Sequence, residues 1–253
     1  GLGIAIQQYQ LTSKVGYVFP QQKYKSIGLI FSALGYNNQS YYGLNQYNAK
    51  QGSLYTNLIY QSTIGSSVHK FRTGISLVSD HYNETFANAN FQRQEFVPGT
   101  FFEYTFAPGS RFTAIAGLRA DHHNQYRWIA TPRINLKYDV TAETQLRMSA
   151  GSGFRTASIF AENTGLFVSS RQYEIVAPST TYAYGLNPEK AWNYGLNLSH
   201  RFELNNRTGS LSIDAYRTDF SNQTVVDSDT DPQKILFYNL QGQSYANSIQ
   251  AEL

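Results

Sequence analysis

The chain has 253 residues, and its 20 Lys and Arg against 17 Asp and Glu leave a formal charge of +3, too small a surplus to point to nucleic acid. It has no Cys, which excludes a disulfide scaffold, a zinc–thiolate site and a cysteine nucleophile. Aromatic residues make up 15% of it, as much as all charged residues together. Its polarity therefore resides in Asn, Gln, Ser, Thr and Tyr.

Along the chain the dominant period is two. Trp128, Ala130, Pro132, Ile134, Leu136 and Tyr138 alternate with Thr131, Arg133, Asn135 and Lys137. Trp192, Tyr194, Leu196, Leu198 and Phe202 alternate with Asn193, Gly195, Asn197, Ser199 and Arg201. Alternation this long means strands with one apolar and one polar face. Strands are predicted near 3–18, 25–36, 51–62, 68–81, 94–107, 111–122, 127–138, 143–154, 188–203, 209–224 and 234–253, about eleven in all. Most exceed the five or six residues usual in soluble sheets. Such lengths suit a tilted bilayer crossing, which takes about 9–11 residues. The longest apolar run, Ile27 to Leu34, is eight residues and is far too short for a membrane helix.

The expected connections alternate in length. Short ones fall at Gln21–Tyr24, Gly65–Ser67, Pro108–Ser110, Thr141–Glu143 and Asn205–Thr208. Long ones fall at Gly35–Lys50, His81–Arg93, Phe154–Pro188 and Ser221–Lys234. Short turns at one rim and long loops at the other define the layout of an outer-membrane barrel. Trp192 and Tyr194 near one end of a strand and Phe202 near the other are placed as interfacial girdles, as are Trp128 and Tyr138. Arg133, Lys137, Arg147, Arg201 and Asp214 on the opposite faces need water, so those faces should line a wet lumen.

The stretch Thr131–Arg155, reading TPRINLKYDVTAETQLRMSAGSGFR, resembles the barrel of TonB-dependent outer-membrane receptors, where "PR-x-x-L-x-Y" meets a short turn and then "T-x-L-R-x-S-x-G-x-G-(F/Y)-R". Asn187–Gly195 and Gly209–Phe220 resemble two further strands of that family. The resemblance implies an all-β fold, a transmembrane antiparallel β-barrel, of which about eleven strands are half of 22. It also implies residues 1–253 as a partial barrel domain, with the plug domain and remaining strands absent. The implied function is TonB-dependent uptake of a scarce ligand across the bacterial outer membrane, a metal chelate such as a siderophore, haem or cobalamin. The implied partners are that ligand, outer-membrane lipid and the TonB complex, reached through the absent plug. A passive porin or adhesin and a soluble β-rich glycan-binding protein are the alternatives.

No catalytic constellation is expected, because Ala150-Gly-Ser-Gly-Phe154 lacks the first glycine of a nucleophile elbow. Ligand-binding candidates are loop residues: Tyr41 and Tyr42, His81, Asp121, His122 and His123, and Arg171 and Tyr173. Tyrosine supplies rigid amphipathic contact area, and histidine is the commonest metal ligand. Asp227, Asp229 and Asp231 are spaced like the first three ligands of a calcium loop, but Pro232 stands where the glycine belongs. No cofactor is required on this reading; a loop-bound calcium is the one candidate. Arg155, in the family-like "G-F-R", is expected to take a structural role, fixing strand-end or plug contacts.

Overall fold

The computed structural model describes residues 1–87, 89–180 and 182–253. In chain order the strands are β1 (Leu2–Val18), β2 (Ser26–Tyr42), β3 (Asn45–Ile64), β4 (Ser66–Phe86), β5 (Ala89–Phe106), β6 (Phe112–His123), β7 (Arg127–Asp139), β8 (Thr144–Arg155), β9 (Gln172–Val176), β10 (Glu189–Leu204), β11 (Arg207–Asn222), β12 (Thr224–Asp227), β13 (Lys234–Asn239) and β14 (Ser244–Glu252). Eleven form one antiparallel meander in the order β1-β2-β3-β4-β5-β6-β7-β8-β10-β11-β14. The remaining three make a small sheet, with β12 antiparallel and β9 parallel to β13.

The register carries the two-face pattern across the whole sheet. Leu136 lies opposite Ala114 and Met148, Met148 opposite Leu196, and Leu196 opposite Ala215. Directly opposed residues share a face, so these apolar positions form one continuous convex surface. An apolar groove of about 660 Å³ on this surface, lined by Ile134, Leu136, Met148, Ala150, Leu196 and Ala215, faces where acyl chains run. The concave face carries the charges. Arg133 donates to Glu103, Arg72 lies 3.7 Å from the same carboxylate, and Lys137 pairs with Asp139 at 3.0 Å. A charged substitution separates the two faces. Leu196→Arg, at mid-depth on the convex side, is expected to cost about 2–4 kcal/mol. Asn197→Arg, its neighbour on the concave side, should stay within about 1 kcal/mol. Heat-modifiable migration of the full-length protein on a gel reads the difference: the first variant should lose the folded band and the second keep it.

The turns fall where left-handed backbone is available. Gly43 (φ 65°) starts the two-residue link from β2 to β3, and Asn205 and Asn206 (φ 50° and 59°) close the one from β10 to β11. Residues 19–25, Gly65, 107–111, 140–143 and 205–206 share one rim. Residues 156–180, 182–188 and 223–243 belong to the other, which the long-loop rule makes extracellular.

Two expectations about connections are corrected. Gly35–Lys50 and His81–Arg93 are not loops: pairing runs without a break to Tyr42–Asn45 and Phe86–Ala89. The ladder needs backbone partners, not an apolar outer face, so it continues above the bilayer where the outward side chains become polar. The single strand expected over 234–253 is two, β13 in the small sheet and β14 on the edge of the large one.

Candidate functional site at the extracellular mouth

Residues 156–180 and 182–188 fold back over the concave side of the tall hairpins β2–β3 and β4–β5, and with β12 and β13 they form a cap. Its core is aromatic. Phe167, Phe160 and Phe237 are buried against Tyr42, Tyr47 and Phe86, with Ile159, Leu186 and Ile235 filling the gaps. Phe86 stacks on Phe167 at 4.2 Å between ring centroids and meets Tyr173 edge-on at 4.7 Å. Asn45, at the hairpin tip, donates to the carbonyls of Phe167 (2.6 Å) and Ser169 (3.1 Å). These bonds satisfy the end of a 3-10 turn over Ala161–Val168.

Beneath the cap lies an ionic cluster. Arg93 of β5 sits with its Nε 3.0 Å from Glu95 and its Nη1 3.9 Å from Glu84. Its Nη1 donates to the Tyr184 hydroxyl (3.0 Å) and its Nη2 to Ser158 (2.9 Å), both in the cap. Its planar face covers the Tyr82 ring at 3.7 Å. Glu84 accepts from Tyr47 at 2.6 Å and also from Tyr184. Burial, and then the adjacent Glu84 charge, push both phenols far above the ordinary tyrosine range, so both remain donors. Burial works to raise the Glu95 carboxyl, but the His123 imidazole and the Arg93 guanidinium outweigh it and hold it below the ordinary range. Two buried carboxylates thus share one guanidinium. All of these groups lie at least ten residues from the short-turn rim, above the apolar band.

The candidates named from sequence go to different places. Tyr42 and Tyr173 turn into the aromatic core, the latter donating to the Leu166 carbonyl at 2.7 Å. Tyr41 is half exposed and lays its ring over Gly3, where a Cβ would come within 2.2 Å of it. Asp121 is buried and paired with Arg119 (2.5 Å), while His123 is buried 3.6 Å from Glu95. His122 meets Trp128 edge-on at 5.0 Å on the opposite face, and the register puts His81 on that same outer face, opposite Gln94. The two outward histidines and the inward Asp121–His123 pair are therefore not brought together. Among the described residues no group of three His, Asp or Glu is placed to hold a metal. Arg171 donates to the Ser228 carbonyl at 2.6 Å, joining the two segments of the cap. Arg155 bonds both Glu189 and Glu162, tying the end of β8 to β10 and to the 3-10 turn.

Asp227, Asp229 and Asp231 form a self-contained turn. Asp227 accepts from the amides of Asp229 and Thr230 and from the Thr230 hydroxyl, and Asp231 accepts from the Gln233 amide. The Thr230 hydroxyl, then these amides, hold the Asp227 carboxyl down to about 2. A depressed carboxyl contributes its stabilisation above its unfolded value near 4 and loses it as pH falls towards 2. Amide exchange at Asp229 and Thr230 is expected to stay slow to about pH 4 and to accelerate between pH 4 and 2. Asp227→Asn should remove that pH step.

The missed residues are Arg93, Glu84 and Glu95. Their signal is one of parity. With the hairpin turn placed at 87, Glu84 and Phe86 face the same side as Phe91, Arg93 and Glu95.

An open, twisted wall of long antiparallel strands, apolar outside, charged inside and covered at one mouth, is the wall of an outer-membrane-type β-barrel. Residues 4–253 match the family model described as TonB dependent receptor-like, beta-barrel, and the chain belongs to that family. It is a family of receptors and transporters, not of enzymes, and its members are outer-membrane proteins. Among solved structures the fold is similar to the siderophore receptor PirA from Acinetobacter baumannii (10% identity, TM-score 0.65), covering 98% of this chain and 42% of that one. It is likewise similar to the alcaligin outer-membrane receptor FauA from Bordetella pertussis (13% identity, TM-score 0.62), covering 99% of this chain and 44% of that one. The chain thus spans less than half the length of either. No curated protein matches the sequence.

Proposed function

We propose that the protein carrying this chain performs energised uptake of a scarce ligand across the outer membrane, and that the ligand is a metal chelate. The observation that carries the reading is the cap, an extracellular segment folded inward over the charged concave face of a wall whose convex face is apolar. A passive pore has no use for a mouth closed by a packed aromatic core. A receptor that must hold its ligand until transport does. The family match and the siderophore receptors among its structural neighbours support the same reading. On this reading the ligand enters from the extracellular rim, contacts cap and hairpin residues, and leaves through the lumen when a plug is pulled by the TonB complex.

The test is uptake by cells with and without the full-length gene, supplied with ferric siderophores, haem or cobalamin. Loss of uptake of one of these on deletion, with the same loss in parental cells treated with a protonophore, is the expected result. Uptake that depends on the gene but ignores the protonophore and TonB would place the protein among passive pores.

A further inference from the structure

A pocket of about 250 Å³ lies where the cap meets the concave face of β1–β4, lined by Tyr36, Asn38, Gln51, Tyr82, Glu84 and Ser158 among others. It is smaller than the roughly 300–1,000 Å³ usual for whole small-molecule ligands, so it fits one ring or one arm of a ligand.

Its chemistry is specific. Asn38 is only 7% exposed, yet its Oδ1 is buried without a hydrogen-bond partner, and its amide nitrogen bonds no described residue either. Buried polar side-chain atoms are nearly always paired. A carboxamide left free inside a pocket therefore presents an acceptor and a donor side by side to whatever enters. Tyr36 adds an aromatic face, and the Tyr82 hydroxyl, bonded by Gln51 at 3.2 Å, adds a polar edge. Among the described residues the one charged side chain turned into the pocket is Glu84. Lys50 contributes to the wall from β3, but its register with Asn83 turns its side chain to the outer face. The Glu84 charge is already matched inside the wall by Arg93, 3.9 Å away, and its oxygens accept from Tyr47 and Tyr184, so the pocket offers no free charge to an ionic group, and a bare cation would leave the amide donor of Asn38 unused.

We propose that this pocket is a subsite for an uncharged ring bearing adjacent hydroxyl groups, a sugar-like unit. Its vicinal hydroxyls pair with the Asn38 carboxamide and its apolar face lies on Tyr36. The inference rests on the receptor reading and names the part of the ligand held beneath the cap. The anionic, metal-coordinating part of a chelate is held elsewhere.

The test uses the full-length receptor in detergent, titrated calorimetrically with two kinds of probe. The neutral probes are glucose, galactose, mannose, xylose, N-acetylglucosamine and their disaccharides, and the anionic probe is ferric citrate. At least one neutral sugar should bind. Asn38→Leu should weaken that sugar by about tenfold, the worth of a hydrogen-bond pair left unmade, and leave the response to ferric citrate unchanged. Tyr36→Leu should weaken the same sugar, and serves if Asn38→Leu does not fold. The proposal is overturned if no neutral sugar binds, if the variants bind it as tightly as the parent, or if ferric citrate is what Asn38→Leu loses. Protonophore-insensitive uptake would sink the transport reading and leave this titration standing.

Discussion

Arg93→Met is expected to release the cap from the wall. The Arg93 side chain is 6% exposed and, among the described residues, is the one guanidinium beside the buried Glu84 and Glu95. Removing one partner of a buried ion cluster costs about 3–5 kcal/mol, because the charges left behind have neither water nor a counterion. The loss should be local. Arg93 reaches into the cap through Tyr184 and Ser158, while the ladder from β4 to β5 does not need its side chain. Trypsin cleavage of the full-length receptor after Arg171 should therefore accelerate strongly while the folded barrel band on a gel persists. Adding Glu95→Gln to Arg93→Met removes one stranded charge and should recover part of the protection. Unchanged cleavage in the single variant would show that the aromatic core alone holds the cap.

Phe167→Ala tests that aromatic core. Phe167 is fully buried and touches Tyr42 and Tyr47 at 5.4 Å and Phe86 at 4.2 Å between centroids. Truncating a core aromatic costs about 3–5 kcal/mol, part transfer energy and part cavity. Here the cavity would open between the 3-10 turn and two hairpins, which cannot close in because their backbones are held by pairing on both sides. Amide exchange across Ala161–Val168 is expected to rise by orders of magnitude. The adjacent Val168, 71% exposed, is the control, and Val168→Ala should leave exchange near the parental rate. Equal effects at the two positions would mean the turn is not held by packing.

The wall was legible in the sequence because a bilayer imposes a strict rule on it. Where one face meets hydrocarbon and the other meets water, Leu196 and Asn197 must differ, and the period of two is plain. The pattern fades above the bilayer. In Tyr36–Tyr42 the outward positions are Asn37, Gln39 and Tyr41, polar like their inward neighbours, so the pairing that continues to Tyr42 leaves no trace in hydropathy. The cap was obscured for another reason. Phe160 and Phe167 lie in one irregular segment and Phe237 far along the chain, they show no period, and only the fold brings them together over Phe86. Arg155 was readable as a strand-end tie because it sits in a motif. Arg93 was not, because Arg-x-Glu within what looked like a loop says nothing about which side it faces until the turn at 87 is known.

The tall hairpins also set how deep the protein sits. On the outer face of β3 and β4, Leu54, Leu58, Ile75 and Leu77 give way within one or two positions to Gly52, Ser79, His81 and Lys50. Sinking the wall by a single residue pair would carry a lysine and an imidazole towards hydrocarbon. Raising it would put leucines among headgroups. Both displacements are unfavourable, so a membrane of the wrong thickness must itself deform at this edge, thinning or thickening around the barrel. The mouth then stays at a constant height above the leaflet whatever lipids surround it.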